Sequence, residues 1–293
     1  MHKAGFVNIV GNPNVGKSTL MNLLVGERIS IATFKAQTTR HRIMGIINSD
    51  EAQIVFSDTP GVLKPNYKLQ ESMLAFSESA LEDADVLLYV TDVVEKIDKN
   101  ADFLQKVTKL NVPILLVINK IDLSNQKELE ILVEQWHEVL PTAEIFPISA
   151  TAKFNVDNLL SRIKELLPES PPYFDKDQWT DKPARFFVTE IIREKILLYY
   201  DKEIPYAVEV VVEQFKEDEK SIHINAVIYV ERDSQKGIII GKQGKALKKV
   251  STEARKTLEK FFQKSIYLET FVKVDKDWRS SDKELKNFGY QLD

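Results

Sequence analysis

The chain has 293 residues, 43% of them hydrophobic, and carries 40 basic and 44 acidic side chains for a net charge of −4. That length suits about two domains of ~100–200 residues each, and that hydrophobic content excludes a disordered or fibrous chain. Cysteine is absent, which excludes disulfides, thiolate metal centres, thiol nucleophiles and lipidation at cysteine, and suits a reducing compartment.

The longest apolar runs, Val86–Val90 and Ile114–Ile118, fall far short of the ~20 residues of a membrane helix. Met1-His2-Lys3 leads directly into a strand-like Phe6–Val10 with no secretory h-region. A soluble cytoplasmic protein is expected. Charge is unevenly spread: nine basic residues between Lys236 and Lys264 face only Glu253 and Glu259, a local patch of the kind that meets nucleic acid.

In chain order, strands are predicted at Phe6–Val10, Arg42–Ile47, Gln53–Ser57, Val86–Thr91, Ile114–Ile118 and Glu144–Ile148. Helices are predicted at Ser18–Leu24, Leu69–Leu81, Asp98–Leu110, Gln126–Leu140 and Val156–Leu167. The runs VLLYV and ILLVI are apolar at every position, as parallel strands covered on both faces are. The alternation reads as an open α/β sheet with right-handed crossovers. Four of the eleven prolines fall between Pro168 and Ala184, without periodicity, which marks a linker. A helix over Ala184–Tyr200, strands over Tyr206–Phe215 and Ile222–Val230, a helix over Lys245–Lys264 and a strand over Ile266–Val274 then form a small α+β domain. Lys276–Asp293 reads as a short helix or tail. The predicted division is residues 1–167, a linker over 168–184, a second domain over 185–276 and a tail over 277–293.

Gly11-Asn12-Pro13-Asn14-Val15-Gly16-Lys17-Ser18 fits the P-loop pattern G-x-x-x-x-G-K-[ST] and sits after a strand, opening a helix. Its glycines let backbone N–H groups wrap closely round phosphates at a helix N-terminus. Lys17 reaches the β- and γ-phosphates in this reading, Ser18 ligates Mg²⁺, and Thr19 continues the cradle. Asp58-Thr59-Pro60-Gly61 ends the third strand, where Asp58 holds Mg²⁺ through water and the Gly61 N–H meets the γ-phosphate. Asn119-Lys120-Ile121-Asp122 ends the fifth. Guanine offers paired N1–H and N2–H₂ donors to one carboxylate and adenine does not, so a buried Asp122 selects GTP over ATP. The Lys120 stem covers the base, and Ser149-Ala150 places a backbone N–H on guanine O6. Four such motifs at successive strand C-termini occupy the ligand edge of an open α/β sheet.

In the loop Phe34–Arg42, either Thr38 or Thr39 ligates Mg²⁺ when a γ-phosphate is present, ordering the segment as a switch. Thr39 is preferred, and Lys17, Thr39, Asp58 and Gly61 form the expected catalytic set. Asn14 either caps its loop or offers an amide oxygen to an activating cation such as K⁺. Gly241-Lys242-Gln243-Gly244 is a G-x-x-G, preceded by the apolar turn Ile238-Ile239-Ile240 and followed by Lys245, Lys248 and Lys249. A KH domain clamps the backbone of about four nucleotides with such a loop. The four histidines are scattered, with no metal-ligand spacing. Asp83 and Asp85 read as solvated helix-end residues, His41 as an exposed loop histidine, and Arg40 and Arg42 as groups that stabilise transition-state charge or grip RNA.

On GNPNVGKS, QTTRHR, DTPG, NKID, SA and GKQG, in order and spacing over nearly the whole chain, the sequence resembles the Era family of bacterial Ras-like GTPases. The resemblance implies a P-loop GTPase domain with a mostly parallel six-stranded sheet, followed by a smaller α+β type II KH domain. It further implies GTP or GDP with Mg²⁺ as cofactors, and RNA binding by Ile238–Lys245, Lys248 and Lys249. The implied partners are the 3′ end of 16S rRNA and the small (30S) ribosomal subunit whose biogenesis such proteins assist. A monomer in the cytoplasm, at times peripheral at the inner membrane, is implied as well. Residue 62 is Val, where Ras relatives commonly carry a water-orienting glutamine, so intrinsic turnover is expected to be slow. The rival readings are a GTPase whose C-terminal domain binds a protein, and a factor that binds GTP without hydrolysing it.

Overall fold

The computed structural model describes residues 2–97 and 99–291. Two compact units follow one another, dividing between Asp181 and Lys182. In the first, β1 (Lys3–Gly11), β2 (Ile43–Asn48), β3 (Ala52–Asp58), β4 (Val86–Asp92), β5 (Ile114–Asn119) and β6 (Glu144–Pro147) form one sheet in the order β2-β3-β1-β4-β5-β6. Only β2 runs antiparallel. The helices are α1 (Lys17–Val25), α2 (Lys68–Glu82), α3 (Ala101–Val107), α4 (Gln126–Val139) and α5 (Val156–Leu166).

The unbroken apolar runs follow from a sheet covered on both faces. Along β4, Val86, Leu88 and Val90 enter one core with Leu20, Leu159 and Ile163. Leu87 and Tyr89 enter the other with Trp136 and Leu140. The strand order reverses at β1, β3 lying on one side and β4 on the other, so the crevice beyond the β1 C-terminus is the topological switch point where such sheets take ligands.

Residues 168–181, expected as a linker, are instead a strap on the first unit. Ile46 N–H donates to Trp179 O at 2.9 Å, Thr180 Oγ1 to Met44 O at 2.7 Å, and Met44 N–H to Asp181 Oδ1 at 2.8 Å. These bonds cover the open edge of β2, which an unpaired strand must otherwise protect. Buried Gln53 accepts from Tyr173 N and Phe174 N and donates to Phe174 O. Prolines and a lack of periodicity conceal this segment because side chains and single bridges, rather than a repeating pattern, hold it.

The second unit contains α6 (Ala184–Tyr199), α7 (Ile204–Ala207), β7 (Glu209–Glu217), β8 (Ser221–Val230), α8 (Asp233–Ile240), α9 (Lys245–Phe262), β9 (Ser265–Val274) and α10 (Asp282–Asn287). Its sheet runs β7-β8-β9, antiparallel and then parallel. The parallel pair needs a crossover, which α8 and α9 supply. Ile192, Ile196, Ile224, Ile228, Val250, Ala254 and Leu258 share its core. The strand predicted from Tyr206 begins at Glu209, because Pro205 opens the short α7. The predicted helix over 98–110 is shortened to α3, and its first residue, Asp98, lies outside the described residues, as do Asp293 and Leu292 of the tail. The rest of the tail is packed: Trp278 Nε1 donates to Ala207 O, and Tyr290 Oη donates to Glu209 Oε2 at 2.6 Å.

Within α6, Arg193 and Glu190 form a buried two-point ion pair at 2.7 and 2.8 Å. Removing one partner of such a pair leaves an uncompensated charge in the core. Arg193→Met is therefore expected to lower the stability of the second unit by about 3–5 kcal/mol, read as an earlier denaturant midpoint in the fluorescence of Trp278, which is buried in that unit.

Candidate functional site

Beyond the β1 C-terminus the loop from Gly11 to Gly16 turns into α1. Gly16 has φ +96°, and a Cβ there would fall 2.2 Å from Asn119 Nδ2, so only glycine fits. The α1 N-terminus carries no acidic residue in its first turn, leaving its positive dipole end for an anion. Lys17 Nζ donates to Gly11 O at 2.9 Å and Asn12 O at 2.8 Å. Burial brings its pKa down to about 8, against the opposing pull of Asp58. A cavity of about 390 Å³ opens here, lined by Asn14, Lys17, Ser18, Thr39, Gly61 and Lys120 among others.

Three distant segments meet at its floor. Ser18 Oγ donates to Asp58 Oδ2 at 2.6 Å and lies 2.8 Å from Thr39 Oγ1, which is 3.5 Å from the same carboxylate oxygen. Asp58 Oδ1 is buried with no hydrogen-bond partner among the described residues. Burial pushes the Asp58 carboxyl upward, opposed by the Ser18 hydroxyl, the Lys17 ammonium and the Ser30 and Thr39 hydroxyls. Hydroxyl and carboxylate oxygens with a spare buried acceptor suit a hard divalent cation such as Mg²⁺. Thr38 also lines the cavity, but its Oγ1 donates to Lys35 O at 2.6 Å and makes no hydrogen bond to Asp58.

Gly61 packs so tightly that a Cβ would lie 2.6 Å from Pro13 Cα. Val62 N–H donates to Gly11 O at 3.0 Å, and its buried isopropyl group packs in the core. Asn100 Nδ2, which sequence reasoning missed, donates to both Val62 O and Asn12 Oδ1. The Thr59 hydroxyl turns inward to Ile9 O at 2.8 Å, which leaves its side chain no role toward a ligand. Val15 is also buried, so it contributes backbone only.

Asn119 braces the base end. Its Nδ2 donates to Val15 O at 2.9 Å, and its Oδ1 accepts from Lys120 N and Ala150 N. Lys120 Nζ donates to Asn14 O and to Asp92 Oδ2, both at 2.6 Å. Asp92, also missed, fixes the following turn through Val94 N and Glu95 N. Asp122 is exposed, contrary to the expectation of burial, and accepts from Ser149 Oγ at 2.5 Å.

Arg40 is fully buried and cannot grip RNA. Arg42 is committed to Ser57 Oγ, Asn8 Oδ1 and Asp83 Oδ1. Asp83 is exposed just past the end of α2, as expected, and also accepts from Asn8 Nδ2; Asp85 is half-buried, and its Oδ2 accepts from Phe6 N. His41 is half-buried against Phe76, with ring centroids 6.0 Å apart.

In the second unit the G-x-x-G loop joins α8 to α9. Gly241, Gln243 and Gly244 all have positive φ, of 70°, 54° and 72°. Lys242, Gln243, Lys245, Lys248 and Lys249 are exposed, as is Ile238. The apolar turn predicted over 238–240 is the last turn of α8. Ile239 is buried in the core beneath the loop, and its O accepts from Tyr200 Oη at 2.7 Å. It supports the loop and offers RNA no side chain. Lys249 Nζ lies 4.3 Å from the centre of the Tyr199 ring.

A family described as 50S ribosome-binding GTPase matches residues 6–120, and the KH-domain family matches residues 203–279. The structure of Era in complex with MgGDPNP and nucleotides 1506–1542 of 16S ribosomal RNA is 40% identical, with a TM-score of 0.95 over 100% of both chains. The chain belongs to the Era family. A variant of Aquifex aeolicus Era bound to GDP and AlF₄⁻ is also 40% identical, with a TM-score of 0.94 over 99% of this chain and 100% of that one. As an Era-family protein the chain is a GTPase that carries a KH domain.

Lys17 gives this Era-family site a pH signature. Free, it loses its proton through about pH 8, and a bound polyphosphate holds it charged. At pH 8.5 GDP binding is therefore expected to take up a substantial fraction of a proton on this lysine, whereas at pH 6.5 the lysine is already charged and takes up none. Calorimetry in two buffers of different ionisation enthalpy reads this directly, and no uptake at pH 8.5 would mean that the free lysine stays charged.

Proposed function

We propose that the chain is a GTP-controlled switch that holds the 3′ end of 16S rRNA in its GTP state and assists assembly of the small ribosomal subunit. The observation that carries this reading is the match, over the full length of both chains, to an Era that holds MgGDPNP and 16S rRNA nucleotides together. The chain's own chemistry supports it at both ends: a phosphate cradle with a cation-ready carboxylate, and an exposed, lysine-flanked G-x-x-G loop.

In the proposed mechanism the backbone from Gly11 to Thr19 and the Lys17 ammonium receive the phosphates. Ser18, Thr39 and Asp58 hold Mg²⁺, which neutralises developing phosphate charge. Thr59 and Pro60 carry the chain to Gly61, whose N–H meets the γ-phosphate. Asp122 accepts both guanine donors, Lys120 covers the base, and Ser149 and Ala150 close on O6. Asn119 keeps these segments in register. Asn14 would be the residue to hold an activating K⁺ through its amide oxygen, and the cation would supply positive charge to the transition state. With Val62 packed away, no side chain at that position orients water, and turnover is slow. Lys242, Lys245, Lys248 and Lys249 supply counter-charge to the RNA backbone at the loop, and Ile238 and Ile240 present apolar surface to its bases. The proposed location is the cytoplasm; among the described residues no helix is long and apolar enough to cross a membrane.

A short single-stranded RNA copied from the 16S 3′ end is expected to bind more tightly with a non-hydrolysable GTP analogue than with GDP. Its affinity should fall with salt, with a log–log slope of about −0.7 per phosphate neutralised. Equal affinity in the two nucleotide states would defeat the switch. The double substitution Gly241→Asp with Gly244→Asp places side chains at positive φ and negative charge where phosphate must approach. It is expected to abolish RNA binding and leave GTP hydrolysis without RNA unchanged; retained binding would move the RNA contact off this loop.

A further inference from the structure

From Thr59 to Pro65 the chain has no regular structure, yet the part nearest the cavity is pinned residue by residue. The Thr59 hydroxyl donates to Ile9 O at 2.8 Å, Ser77 Oγ donates to Pro60 O at 2.8 Å, and Val62 N–H donates to Gly11 O at 3.0 Å. In a planar trans peptide the N–H points away from the carbonyl. The Gly61 N–H therefore projects opposite the Pro60 oxygen that Ser77 holds, in a residue that lines the cavity.

The remaining tie comes from Asn100. Its amide nitrogen spends both hydrogens here, donating to Val62 O at 2.9 Å and to the Oδ1 of Asn12, a buried residue of the phosphate loop. Asn100 is also the N-cap of α3, where its own O accepts from Leu104 N at 3.1 Å. An asparagine in that position ordinarily turns its side chain back onto a free N–H of the first helical turn. This one makes no capping bond. The helix end forgoes a favourable contact, and the Gly61–Val62 turn is fastened to the phosphate loop instead. Local rules are broken in this way where a residue serves a site rather than its own element.

We propose that Asn100 is a positioning residue for GTP hydrolysis: its amide ties the Gly61–Val62 turn to Asn12 and so holds the Gly61 N–H where the γ-phosphate is met. The assignment rests on the reading that Gly61 faces the γ-phosphate, and it adds a residue outside every nucleotide motif.

The test pairs single-turnover hydrolysis of bound GTP with the affinity for a fluorescent GDP, both on the full chain. In Asn100→Ala the hydrolysis rate is expected to fall about tenfold, as for a lost buried hydrogen bond. The affinity for GDP, which has no γ-phosphate, should stay within about twofold of wild type. Asn100→Asp is nearly isosteric but has no N–H to donate, so its rate should fall at least as far; it decides by the same two readings if Asn100→Ala does not fold. A wild-type rate in either variant overturns the proposal. So does a matching loss of GDP affinity, the mark of a residue that only supports the cavity wall. Gly61→Ala, whose Cβ would lie 2.6 Å from Pro13 Cα, tests the reading beneath. If it hydrolyses GTP as fast as wild type, the Gly61 reading and the Asn100 role fall together. If it is slow while the Asn100 variants are not, the Asn100 role alone falls.

Discussion

A carboxylate sealed at the end of a strand with half its hydrogen-bonding capacity unused is an unfavourable thing to build, and the first unit is organised around one. Asp58 takes Ser18 on one oxygen and leaves the other without a partner in a buried setting. Ser18 opens α1, Thr39 lies in the loop after it, and Asp58 closes β3, so three separate stretches of chain have their positions defined by a single side chain. The arrangement is stable only because the surrounding sheet is packed on both faces and can carry local cost at its edge. Supplying a positive charge there relieves it. Ligand affinity and loop order are then two expressions of the same electrostatic imbalance.

The base end is built on the opposite logic, with the side chains of Asn119 and Lys120 already engaged. Asn119 commits both ends of its amide to Val15, Lys120 and Ala150, and Lys120 reaches Asn14 and Asp92. Backbone from three motifs is thereby locked before any ligand arrives, which lowers the ordering cost of binding. A rigid base pocket and a phosphate floor that waits for charge suit a protein that must hold either of two nucleotides and respond only to the phosphate that distinguishes them.

Much of this was legible in the sequence because parallel strands and phosphate loops leave strong local marks. The runs VLLYV and ILLVI announced a sheet buried on both faces, and G-x-x-x-x-G-K-S announced the turn into α1. What escaped was held by single side chains with no pattern to announce them. Gln53 and Thr180 fasten the strap that composition marked as a linker. Asp83, Asp85, Asp92 and Asn100 are commonplace polar residues whose partners lie far away in the chain or in a turn without a motif. Burial misled in both directions: Arg40 and Ile239, read as contact residues, are sealed inside, while Asp122 stands exposed. Spacing reports which face a residue occupies, and depth depends on what the rest of the fold lays over it.

The two properties read from the site fit together through linkage. If GTP tightens the hold on rRNA, rRNA must tighten the hold on GTP by the same factor, because the coupling free energy belongs to both ligands. A ternary complex of that kind does not fall apart by simple exchange; it ends when the γ-phosphate is removed. Val62, packed in the core with its N–H on Gly11 O and its O on Asn100, withholds from that step the side-chain amide that orients water in faster relatives. Under the proposed function, slow hydrolysis is then a lifetime rather than a defect, because the time to lose the γ-phosphate sets how long the factor stays on its RNA.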